Sequence, residues 1–105
     1  MLQSIAEQRD NQTVPVVVVN RQQIEEGVQR AAQALAQTVV RIRYEYGDDH
    51  TGDPSIFFNV LLTDEAASRP RLGQLAETVI SEVRRAVKPD EQGLNAYFNF
   101  RSLAE

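Results

Sequence analysis

The stretch that decides the fold is TVVRIRYEYGDDHTGDPSIFFNVLLT, residues 38–63. Apolar and polar side chains alternate on both sides of its centre, GDDHTGDP, residues 47–54. A period of two indicates half-buried β-strands, and Gly, Asp, Thr and Pro are typical of a turn. The stretch therefore predicts an antiparallel hairpin with one face turned to a core.

Helical patterns flank this hairpin on both sides. Asn20 begins the first one as an N-cap with a capping-box glutamine three residues later, and apolar residues recur on one helical face from Ile24 to Leu35. The second pattern runs from Leu72 to Val87 and ends at Lys88-Pro89. A last alternation, from Leu94 to Arg101, predicts a final strand.

The valine-rich segment VPVVVVN, residues 14–20, is typical of a buried strand. With it, the element order is βαββαβ. This order resembles the ferredoxin-like split βαβ arrangement, in which two helices pack on one face of an antiparallel sheet. Without it, the order is αββαβ plus an N-terminal arm that could pair with another copy of the chain. We expect residues 1–13 to be a flexible or short helical arm and residues 14–105 to be a single α+β domain.

Composition narrows the classes of function. A net charge of −4 over 105 residues argues against charge-driven binding to nucleic acid or to an anionic membrane. The chain has no cysteine, which excludes a disulfide framework, a thiolate nucleophile and a cysteine zinc site. The N-terminus is too polar for a signal peptide, and the longest apolar run is too short to cross a bilayer. We therefore expect a cytoplasmic protein without a membrane partner or a cofactor.

The hairpin turn at residues 47–54 combines aspartates with the one histidine of the chain. Aspartate oxygens this close together can converge on magnesium or calcium, so Asp48, Asp49, His50 and Asp53 form a candidate metal site. Their spacing matches neither the calcium-loop nor the zinc patterns. Because a tight turn favours the same residue types for steric and hydrogen-bonding reasons, we expect a plain hairpin tip, with a specific recognition loop as the next alternative.

The sheet face turned away from the helices carries a mixture that solvent exposure alone does not explain. The predicted contact residues on this face are Val39, Arg41, Arg43, Phe57, Asn59, Leu61, Tyr97, Asn99 and Arg101. An apolar and aromatic centre rimmed by arginine and asparagine is typical of an interaction surface.

Several uses of this face compete. One is protein contact, either with a partner protein or with a second copy in a homo-oligomer such as a dimer. Another is single-stranded nucleic acid, with bases stacking on Phe57 and Tyr97, although the chain lacks a basic, aromatic RNP1 segment and its net charge opposes the idea. A third is coverage by residues 1–13.

The sequence therefore predicts a small non-catalytic accessory module that binds protein. A metal-dependent hydrolase or phosphoesterase that uses the loop at residues 47–54 is a further alternative.

Overall fold

The computed structural model describes residues 19–68, 70 and 72–103. The elements in chain order are helix α1 (Arg21–Ala34), strand β1 (Val39–Asp48), strand β2 (Pro54–Leu62), short helix α2 (Asp64–Ala67), helix α3 (Leu72–Val87), a 3₁₀ turn (Pro89–Gln92) and strand β3 (Asn95–Ser102). The predicted α+β class is confirmed. No helix in these described ranges is long and apolar enough to span a lipid bilayer.

The sheet has three strands in the order β1-β2-β3. β1 and β2 form the predicted antiparallel hairpin. The prediction of an antiparallel sheet is wrong for the last strand, because β3 runs parallel to β2, with Ser55 opposite Asn95 and Leu62 opposite Ser102. Helix α3 supplies the long crossover that a parallel neighbour requires.

The ferredoxin-like order is not confirmed. In that order the first strand lies between the two strands that here pair directly as β2 and β3. The described elements instead follow the αββαβ alternative, with α2 added. Of the valine-rich segment only Val19 and Asn20 are described, and Val19 packs against the core. Residues 1–18, and with them the predicted arm, lie outside the described residues.

The core lies between α1, α3 and one face of the sheet. The register aligns Ile42 with Val60 and Phe100 across the three strands. Phe58 is 1% exposed at the centre of this layer, and its ring stacks on Phe98 with centroids 4.9 Å apart. The two long helices contribute further buried groups: Ile24, Val28, Ala31, Val79, Val83 and Val87.

Gly27 lies where the backbones of the two long helices, α1 and α3, come close together. A Cβ atom at this position would lie 2.6 Å from the Ala86 carbonyl oxygen and 3.0 Å from Val87 Cα. Arg30 on the next turn donates a hydrogen bond of 3.2 Å to the same Ala86 oxygen. From sequence, Gly27 predicts only a weakening of α1 by about 1 kcal/mol relative to alanine. Its structural role is to let the two backbones touch.

The predicted N-cap of α1 is confirmed, since Asn20 Oδ1 accepts a hydrogen bond of 3.0 Å from the Gln23 amide. The reciprocal half of the capping box comes from elsewhere. Gln92 Oε1, in the 3₁₀ turn before β3, accepts a hydrogen bond of 2.8 Å from the Asn20 amide. The start of α1 is therefore tied to the start of β3.

Candidate functional site: the open face of the sheet

The candidate site is the sheet face opposite the helices, which we call the open face. Its residues form three rows across β1, β2 and β3, and we name each row after its residue on β2. The Leu61 row is Arg41, Leu61 and Arg101; the Asn59 row is Arg43, Asn59 and Asn99; the Phe57 row is Glu45, Phe57 and Tyr97. The three residues on β2 are half-buried, and the six on the outer strands are exposed.

The placement of Val39 on this face is wrong. Val39 is 3% exposed and packs in the core, whereas Val40 is 47% exposed. The cause is a β-bulge, since Val39 lies opposite Leu62 and Arg41 lies opposite Leu61. One extra residue on β1 shifts the alternation by one position there and nowhere else. The other eight predicted contact residues all lie on the open face. The face also contains Glu45, which the predicted contact set left out although the same alternation pointed to it.

Phe57 and Tyr97 form a rigid aromatic pair on the open face. Their rings stack with centroids 5.4 Å apart and planes 18° from parallel. The Tyr97 hydroxyl donates a hydrogen bond of 2.7 Å to Asp49 Oδ2 in the hairpin loop, and this bond raises the pKa of Tyr97. Tyr97 is therefore held at both ends, by ring contact and by its hydroxyl.

The Asp49 carboxylate is the main hydrogen-bond acceptor of the hairpin loop. Its carboxylate accepts five hydrogen bonds, from the Thr51 amide and hydroxyl, the Asp53 amide, Asn95 Nδ2 and the Tyr97 hydroxyl. The bonds from Thr51, followed by that from Tyr97, hold the pKa of Asp49 well below its usual range. Gly52 closes the turn with φ of +86°. The loop is thus an ordered hairpin tip, anchored by Asp49 to the start of β3.

The candidate metal ligands do not converge. Within residues 19–68, 70 and 72–103, no group of three or more His, Asp or Glu side chains is arranged to hold a metal ion. His50 is exposed at the turn. Asp53 Oδ2 lies 3.1 Å from the Thr51 hydroxyl, which itself lies 2.6 Å from Asp49 Oδ1.

The opposite end of the open face is cationic. A shallow depression of about 830 Å³ contains Leu61, and the charged residues that line it are Arg41, Arg43 and Arg101, with Glu45 at the end towards the Phe57 row. In the described part of the chain, no ion pair or hydrogen bond involves the side chain of Arg41 or Arg43. The open face therefore carries positive charge at the Leu61 row, and carboxylates at the Phe57 row and the adjoining loop.

The comparisons with protein-family models, with curated proteins and with solved structures found no match for this chain.

Proposed function

We propose that this chain is a non-catalytic interaction module that binds protein through the open face. The observation that carries the proposal is the Phe57–Tyr97 pair, which is stacked and hydrogen-bonded to Asp49 on the same face as the arginines of β1. Aromatic residues and arginine are enriched among the residues that dominate binding energy at protein interfaces. A side chain that is already held in place loses little entropy when a partner binds.

Ring geometry favours protein over single-stranded nucleic acid. The Phe57 and Tyr97 rings are stacked, with centroids 5.4 Å apart and planes 18° from parallel. Phe57 and Tyr97 thus turn one face each towards the other, and a base can reach only the outer faces. Modules that bind single strands depend on open aromatic faces. The net charge of −4 also opposes a polyanionic ligand.

The unpaired cations Arg41 and Arg43 are the observation that favours nucleic acid as the second candidate. Binding of that kind weakens steeply with salt, because phosphate contacts release counterions. A labelled single-stranded oligonucleotide titrated at low and high salt tests it. The hydrolase alternative gains no support from Asp49, whose carboxylate is engaged by loop and strand donors.

Site-specific crosslinking tests the proposed function. A photo-crosslinking amino acid replaces Asn99 on the open face and, as a matched control, Gln33 on the exposed surface of α1. We expect covalent adducts with protein from position 99 only, and their loss when Phe57→Ala and Tyr97→Ala are introduced together. Adducts with nucleic acid alone, or equal yields from both positions, would contradict the proposal.

A further inference from the structure

We infer that the occupant of the open face is a second copy of this chain, turned end over end about a two-fold axis that crosses the strands at Asn59. This inference rests on the proposed function and specifies its partner.

The first argument is the asymmetry of charge along the strands. Arg41 and Arg101 flank Leu61 at one end of the open face, and Arg43 lies in the next row. Glu45 lies at the other end, followed by the Asp49 carboxylate in the loop. The open face is therefore dipolar, and a dipolar surface is complementary to itself only when the second copy is reversed end to end.

The direction of the two-fold axis follows from this asymmetry. An axis parallel to the strands would place β1 against β3 of the second copy at the same height, so that Arg41 met Arg101. Like charges facing each other disfavour that arrangement. An axis across the strands keeps β1 opposite β1 and exchanges the two ends, which brings the cationic end of each copy over the acidic end of the other. Closed two-fold dimers of this kind are the commonest homo-oligomers.

The register follows from the three rows. When the axis passes through the Asn59 row, the Leu61 row of one copy lies over the Phe57 row of the other. Arg41 then faces Glu45 of the second copy, and Leu61 faces Phe57 of the second copy. Each contact occurs twice by symmetry. The depression around Leu61 is open to receive the Phe57 ring, and Asn59 meets its own equivalent, with which its amide can exchange hydrogen bonds.

One contact in this register is unfavourable, because Arg43 approaches Arg43 of the second copy near the axis. Arg43 is exposed on the edge strand β1, so its long side chain can extend past the rim into water. The register therefore predicts that Arg43→Gln tightens association, whereas removal of Arg41 weakens it.

The size of the face predicts a weak dimer. Three strands about 4.8 Å apart, with some nine residues each at about 3.3 Å, span roughly 14 by 30 Å. That footprint is smaller than the ~800 Å² per partner of a standard interface. Association is therefore expected to be weak, as for transient interfaces below the standard size.

Charge exchange tests the register by sedimentation equilibrium. Arg41→Glu alone and Glu45→Arg alone each create two like-charge contacts in the proposed dimer, and we expect the dissociation constant to rise about tenfold or more. An equimolar mixture of the two variants restores both attractive contacts in a heterodimer. The mixture, and the double variant Arg41→Glu with Glu45→Arg, should return to within about threefold of the original affinity.

The controls are charge reversals on the exposed surface of α3, Arg85→Glu and Glu77→Arg, which should leave the dissociation constant unchanged. Circular dichroism of each variant checks its fold, and recovery on mixing is itself proof that both chains are folded. Dimers that weaken in both single variants but do not recover on mixing would overturn the register. A chain that stays monomeric to 500 µM or so, while position 99 still crosslinks to another protein, would overturn this inference and leave the proposed function standing. A chain that stays monomeric and also gives no protein adducts from position 99 would overturn both this inference and the proposed function.

Discussion

The two faces of the sheet carry the same aromatic motif with opposite surroundings. On the covered face, Phe58 stacks on Phe98 with centroids 4.9 Å apart beneath the helices. On the open face, the preceding residue in each strand forms the Phe57–Tyr97 stack at 5.4 Å. The covered pair is all hydrocarbon, whereas Tyr97 ends in a hydroxyl that binds Asp49. Parallel pairing of β2 with β3 aligns both pairs, and the helix layer decides which of them is core.

The largest expected effect is a difference in unfolding free energy between a substitution on the covered face and one on the open face. Phe58→Ala removes a ring that is 1% exposed and should lower the free energy of unfolding by about 3–5 kcal/mol. Phe57→Ala loses a half-buried ring and one stack, and should cost about 1 kcal/mol. Urea denaturation measures both. Equal losses from the two variants would mean that the open face is a structural interior rather than a contact surface.

The next largest effect concerns the packing of α1 against α3, the helices that cover one face of the sheet. Gly27→Ala places a methyl group 2.6 Å from the Ala86 oxygen, so α1 must move away from α3. We expect a loss of about 1–3 kcal/mol in unfolding free energy, as for overpacked cores.

Gly73→Ala is the matched control for Gly27→Ala, because its added Cβ would meet no other part of the described residues within 4 Å beyond its own helical turn. It should be neutral or stabilise α3 by up to about 1 kcal/mol. If the two alanines had the same effect, the close approach at Gly27 would not determine how the helices pack.

Tyrosine titration compares the two faces at alkaline pH. Burial, and after it the bond to Glu25, raises the pKa of Tyr44 on the covered side to about 12. The bond to Asp49 raises the pKa of Tyr97 on the open side. The folded chain binds these protons more tightly than the unfolded chain, whose tyrosines titrate near 10. Their contribution to stability is therefore complete below about pH 10 and declines as the pH rises through that value towards about 12.

Absorbance of tyrosinate against pH measures this effect in the folded chain and in urea. We expect the folded midpoint to lie above the midpoint in urea, and Tyr44→Phe to remove the highest part of the curve. Coincident curves in the two conditions would contradict the raised pKa values.

The smallest expected effect is local to the hairpin tip. Asp49→Ala removes the acceptor for the Thr51 and Asp53 amides, so hydrogen exchange at both should accelerate on the order of tenfold. Asp48→Ala is the control, because its carboxylate makes no hydrogen bond within the described residues.

Acidification tests the same anchor. The pKa of Asp49 is held below its usual range, so its bonds should persist as the pH falls through the ordinary carboxyl range and be lost only below it. Protection that disappeared at the ordinary carboxyl range would show that the loop is not anchored by this carboxylate.

Much of the fold could be predicted from local pattern. The hairpin, both long helices, the final strand and the Asn20 cap each depend on side chains close in sequence, and the structure confirms them. Two predictions were wrong, the placement of Val39 and the direction of β3. Each depends on how strands pair, which side chains close in sequence do not determine. The bulge at Val39 leaves the composition of the strand unchanged and alters only its pairing. The parallel pairing of β3 depends on which strand edge is available to it. The alternation of apolar and polar side chains is the same in a parallel and in an antiparallel strand.

By itself, the sequence determined the hairpin, the two long helices, the last strand and eight of the nine predicted residues on the open face. A period of two assigns side chains to faces without knowledge of strand order. Tertiary structure alone decided that Gly27 joins two helices and that Asp49 holds Tyr97, a residue 48 positions away. It also decided that arginines from β1 and β3 share one end of the open face. Hydrophobic periodicity is a property of neighbours along the chain, whereas close approach and charge complementarity arise only when distant segments pack.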